Sequence, residues 1–130
     1  ICTCLRFRRQ QIFCGSFFRD NLAFMVIPEE DKRGRLLRII RHVGGSGIIY
    51  VRNRRRTEEV ARFLQSQGHS AEPYHAGMTA KDRNAKQQAW TKSKAGIIVA
   101  TNAFGMGIDK PDVRFVVHLD IPTTLEAYYQ

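Results

Sequence analysis

The chain has 130 residues, which suits one domain and is too short for two of ordinary size. It is 43% hydrophobic and 25% charged, a globular balance, and no apolar run nears the roughly 18 residues of a membrane helix. The formal charge of +9 is lopsided: residues 1–56 carry 13 basic and 4 acidic side chains, whereas residues 57–130 carry 8 of each.

Residues 1–20 are dense in arginine and begin without a signal peptide's apolar core and cleavage site. Cys2, Cys4 and Cys14 are odd in number and lack metal-ligand spacing, which favours reduced thiols in a cytosolic setting over a disulfide framework or a zinc site. Asn21–Ile27 is apolar and is stopped by Pro28, so a strand is expected there. Leu36, Leu37, Ile39, Ile40 and Val43 recur at helical spacing until Gly44-Gly45. Gly47–Val51 reads as a strand buried on both faces. Thr57 is an expected N-cap, with Val60, Phe63 and Leu64 as the inner stripe of the helix it opens.

A short strand is expected over Ala71–His75. A capping box, Thr79 with Asp82, then opens a helix running to about Lys92, with Ala85, Ala89 and Trp90 facing inward. Gly96–Thr101 and Arg114–Leu119 are the next strands, and Thr123 with Glu126 opens a last helix. Such alternation predicts an α/β fold with a mainly parallel sheet flanked by helices on both faces.

In open parallel sheets ligands bind beyond the carboxyl ends of the strands, so the loops there are the candidate sites. Arg52-Asn53-Arg54-Arg55-Arg56 follows one strand and precedes a helix, a placement that suits phosphate oxygens or a solvated basic surface equally. Tyr74-His75-Ala76-Gly77-Met78 ends a second strand, where a lone histidine is more often structural than catalytic. The third loop runs from Thr101 to Pro111. Gly105 and Gly107 in it permit φ > 0 or a close ligand approach, and Asp109 offers a carboxylate to paired hydroxyls such as those of ribose. A tight turn capped by Asp109 explains the same string. No Gly-x-x-x-x-Gly-Lys phosphate loop and no nucleophile-elbow or kinase signature occurs in these residues.

The stretch Ala100–His118, with Phe104-Gly105-Met106-Gly107-Ile108-Asp109-Lys110-Pro111 at its centre, closely resembles motif V of the RecQ DNA helicases. Gly47–Arg54 is similar to their motif IV, Tyr74–Met78 to motif IVa, and Leu125–Gln130 to the lead-in of motif VI. The resemblance spans residues 15–130, and residues 1–14 look like the end of a preceding motor domain and its linker. Asn53 departs from the small residue or serine usual in motif IV, so an amide contact would replace a hydroxyl one.

The resemblance implies a RecA-like fold, that of the second motor domain of an ATP-dependent 3′-to-5′ DNA helicase. Gly107 and Asp109 would then meet ATP; Asn53, Arg54 and Thr101 would hold the DNA backbone; His75 and Gly77 would shape the neighbouring DNA-facing loop. ATP and Mg²⁺ are the implied cofactors. DNA and the first RecA-like domain of the same polypeptide are the implied partners, in a cytoplasmic or nucleoid setting and with no membrane. The phosphate loop, the Mg²⁺-binding acids and the arginine finger of motif VI are expected outside these residues, so the 130-residue chain alone is expected to be inactive. The competing readings are an RNA helicase half and a RecA-like nucleic-acid-binding module without turnover. The Phe104–Asp109 string favours the RecQ type over the RNA helicases, which commonly place an arginine before the glycine.

Overall fold

The computed structural model describes residues 15, 19–101, 104–105 and 107–129. Residues 1–14, expected to close a preceding domain and containing Cys2, Cys4 and Cys14, lie outside the described residues. In chain order the elements are α1 (Lys32–Val43), β1 (Ser46–Tyr50), α2 (Arg54–Ser66), β2 (Ala71–Tyr74), α3 (Ala80–Lys92), β3 (Ile97–Ala100), β4 (Val113–His118) and α4 (Leu125–Tyr129). The strands form one sheet in the order β2-β3-β1-β4, and each pairing in it is parallel. Residues on β1 and β3 match directly, from Gly47 beside Ile97 to Tyr50 beside Ala100.

Burial on both faces explains the unbroken apolar runs of the two inner strands. Ile49, Val51, Ile97, Val99 and Phe115 pack with Leu36 and Ile40 of α1 and with Val60, Ala61 and Leu64 of α2. Ile48, Ile98, Ala100 and Tyr74 point the other way, onto Trp90 of α3 and Phe104. From β1 to β2 the chain moves outward along the sheet, and from β2 to β3 it steps back. Right-handed crossovers taken in opposite directions place their helices on opposite faces, as the two separate core clusters show.

Four expectations are corrected. Asn21–Ile27 forms no strand: Leu22, Phe24, Met25, Val26 and Ile27 are exposed, Val26 to 96%. An apolar run becomes a strand only with a ladder partner, and none of the four described strands pairs with it. Asn53, not Thr57, is the N-cap of α2. Its Oδ1 accepts the backbone N–H of Arg56 at 3.0 Å, while Thr57 lies fully buried in the first turn and donates to the Arg54 carbonyl at 2.6 Å. In α3 only Trp90 of the expected inner face is buried, and Ala85 and Ala89 face solvent. The last helix is capped by Thr124, whose Oγ1 accepts the Ala127 N–H at 3.2 Å, one residue after the expected Thr123. The expected box at Thr79 is present, with its Oγ1 accepting from Asp82 at 3.1 Å.

Candidate functional site

The carboxyl ends of β1, β3 and β2 lie side by side, which sets their three loops along one edge. An open pocket of about 690 Å³ is lined there by Arg52, Asn53, Arg54, Arg55, Ala76 and Thr101. Asn53, Arg54 and Thr101, singled out from separate loops, therefore meet at one site. The side-chain carbonyl of Asn53 is committed to the cap of α2. Its amide N–H groups have no partner among the described residues and remain for an incoming acceptor.

The arginines here are not equivalent. Arg55 pairs with Glu59 one turn along at 2.9 Å. Arg56 lies 3.0 Å from Asp120, which also accepts the backbone N–H of Arg52 at 2.9 Å. The Nε–H of Arg56 is not aimed at that carboxylate, so the contact is an ion pair without a hydrogen bond. The guanidinium groups of Arg52 and Arg54 have no carboxylate partner among the described residues. No acid occupies the first turn of α2. Three arginines at the positive end of a helix dipole repel that end, and an anion bound between them would relieve it.

His75 and Gly77 lie beside the pocket and not in its wall. A Cβ on Gly77 would stand 2.9 Å from Nη1 and 3.2 Å from Cδ of Arg54, so the missing side chain is what lets Arg54 lie there. His75 faces Glu58, its Nε2 3.7 Å from a carboxylate oxygen, and its buried Nδ1 has no hydrogen-bond partner. His75 thus backs the Arg54–Gly77 contact from within.

Gly107 and Asp109 do not line this pocket. They follow it on the loop that Thr101 begins. Gly105 and Gly107 have φ of 135° and 71°, and a Cβ on Gly107 would meet nothing within 4 Å, so the left-handed backbone is the reason for glycine there. Asp109 is exposed and makes no hydrogen bond among the described residues. Its free carboxylate fits hydroxyl donors. No group of three or more His, Cys, Asp or Glu able to hold a metal, and no helix long and apolar enough to cross a membrane, occurs among the described residues.

Two features escaped the sequence. Lys110 is buried against Trp90, although its place before a proline suggested only the end of a turn. His118 stacks on Tyr50 at 5.0 Å and approaches Tyr128 at 4.8 Å; burial pushes the His118 imidazole below, and the Tyr50 phenol above, its ordinary range. Neighbouring strand ends of matched register brought Tyr50 and His118 together, which no local pattern reveals.

Residues 31–130 match the helicase conserved C-terminal domain family. The chain is 42% identical to the RecQ-like DNA helicase blm-1 of Caenorhabditis elegans and 39% identical to the ATP-dependent DNA helicase RecQ of Pasteurella multocida, over 97% of its own length in each case. It spans 13% and 20% of those two relatives. Among solved structures it is similar to the RNA helicase Prp28 of Chaetomium thermophilum bound to ADP, with 39% identity and a TM-score of 0.66 over 79% of this chain and 26% of that one. Domain 2 of the DEAD-box helicase Mss116p, bound to an RNA duplex, shares the fold with a TM-score of 0.64 at 22% identity, over 75% of this chain and 40% of that one. The fold is RecA-like, and the chain belongs to the helicase conserved C-terminal domain family.

Proposed function

We propose that this domain is the second motor half of an ATP-dependent 3′-to-5′ DNA helicase. The carrying observation is the convergence of Asn53, Arg54 and Thr101 on one pocket, in which the guanidinium groups of Arg52 and Arg54 have no carboxylate partner among the described residues. In this reading the Asn53 amide, the Arg52 and Arg54 guanidinium groups and the Thr101 hydroxyl hold successive backbone phosphates. Asp109 accepts from the ribose of ATP across the cleft from the first motor domain, which supplies the phosphate loop and the Mg²⁺ ligands. ATP turnover supplies the energy that opens and closes that cleft. Contacts of this type read charge and spacing, not base edges.

The test is binding of single-stranded DNA by the intact protein, with and without a non-hydrolysable ATP analogue. Affinity is expected to be nearly independent of base sequence, to fall with salt, and to change with the analogue. Salt-dependent binding with no analogue effect and no turnover would favour the module without a motor. A marked preference for RNA of the same length would favour the RNA helicase.

A further inference from the structure

Lys110 is the only buried side chain carrying a formal charge among the described residues, and that side chain is 2% exposed. Burying an ammonium is unfavourable unless each N–H finds an acceptor. Three acceptors surround it: the carbonyls of Thr91 at 3.2 Å and Ser93 at 2.8 Å, and a carboxylate oxygen of Asp112 at 2.7 Å. The Trp90 ring centre lies 5.2 Å from Nζ, within cation–π range. Thr91 and Ser93 end α3, so Lys110 fastens the far end of the glycine-bearing loop to that helix.

The near end is fastened separately. Phe104 is buried, edge-on to Tyr74 at 4.7 Å and to Trp90 at 5.3 Å, and its carbonyl accepts the Tyr50 hydroxyl at 2.8 Å. Trp90 touches both anchors and is itself held by its Nε1–H donating to the Gly96 carbonyl at 2.9 Å. Between the anchors Gly107 and Asp109 are exposed, and Asp109 has no hydrogen bond of its own among the described residues. Ile108 packs on the same core, so the exposed Asp109 takes its position from its two neighbours, Ile108 and the buried Lys110. The same loop starts at Thr101, in the wall of the basic pocket.

We propose that Lys110, with Phe104 as the opposite anchor, is a positioning residue: it holds Asp109 in place for nucleotide and joins that position mechanically to Thr101. The inference rests on the helicase reading above. A plain helix cap would also bond the two carbonyls, but its loss would lower stability and leave nucleotide and DNA responses intact.

Lys110→Met in the intact protein keeps an unbranched apolar side chain and removes the ammonium that lies over Trp90. It is expected to raise the KM for ATP on the order of tenfold or more and to shrink the change in DNA affinity produced by an ATP analogue, while DNA affinity without nucleotide stays within about twofold. Lys110→Arg, which keeps charge and donors, should recover part of the loss. Asp112→Asn, at an exposed partner, should move KM the same way by less, and supplies the comparison if the methionine variant does not fold. A folded variant that melts lower yet keeps the wild-type KM and nucleotide response would reduce Lys110 to a helix cap and overturn the proposal. If the wild-type protein shows no nucleotide response, the helicase reading falls and this inference with it.

Discussion

Asn53 stands at a branch between fold and site. Its side-chain carbonyl caps α2, and its amide N–H groups, at a residue that lines the pocket, have no partner among the described residues, so the two halves of one side chain can have separate uses. Asn53→Asp keeps the cap and replaces a donor with a negative charge. Stability should stay within about 0.5 kcal/mol of wild type, because Asp and Asn cap comparably, while DNA affinity falls. Asn53→Ala should instead cost about 1 kcal/mol in denaturant unfolding. The sequence points to Thr57 as the cap, and only the burial of Thr57 in the first turn of α2 shows that Asn53 takes that role. Gly77→Ala is expected to push Arg54 out of its place and weaken DNA binding, with some loss of stability as well because the added Cβ would also crowd the buried Nδ1 of His75 at 3.1 Å. Equal DNA affinity for Gly77→Ala and wild type would show that Arg54 does not need that place.

The elements divide by how much of their environment is local. β1 and β3 are readable as continuous apolar runs because both faces are buried inside one sheet. α3 is not readable in this way. One tryptophan carries its packing, and Trp90 also bonds Gly96 and lies under Lys110, so a stripe of alanines was the wrong signal. Trp90→Phe removes one of the two donors to the Gly96 carbonyl, the Gly47 N–H remaining, and should destabilise the domain by about 0.5–1.5 kcal/mol, measured by urea unfolding. Asn21–Ile27 misled for the opposite reason: its composition suits a strand, but composition does not supply a partner edge.

The ends of β1 and β4 add a pH dependence. Burial depresses the pKa of His118, so the folded state favours the neutral imidazole. The unfolded chain binds the proton more readily, and the contribution of this group is complete above histidine's ordinary pKa and lost as pH falls toward the depressed one. Asp112 acts in the same direction at lower pH, where its hydrogen bond from Lys110 holds its carboxyl below the ordinary range. His118→Phe should therefore flatten the fall in unfolding midpoint between about pH 7.5 and about pH 5.5. An unchanged slope would place the titration elsewhere.

Across the whole molecule, the +9 charge concentrates function less evenly than the composition suggests. The basic cluster was visible in sequence, but not which arginines are neutralised. Glu59 and Asp120 reach Arg55 and Arg56 through the helix and through the end of β4, leaving the guanidinium groups of Arg52 and Arg54 without a carboxylate partner among the described residues. The most direct measurement is the salt dependence of single-stranded DNA binding by the intact protein, compared among wild type, Arg54→Ala and Arg55→Ala. Each phosphate contact contributes roughly 0.7 to the slope of log affinity against log salt. Arg54→Ala should lower affinity and reduce the slope by about that amount for every base sequence, while Arg55→Ala leaves it nearly unchanged. Equal slopes for wild type and Arg54→Ala, or an equal loss from both variants, would contradict a pocket in which the unpaired arginines hold the backbone.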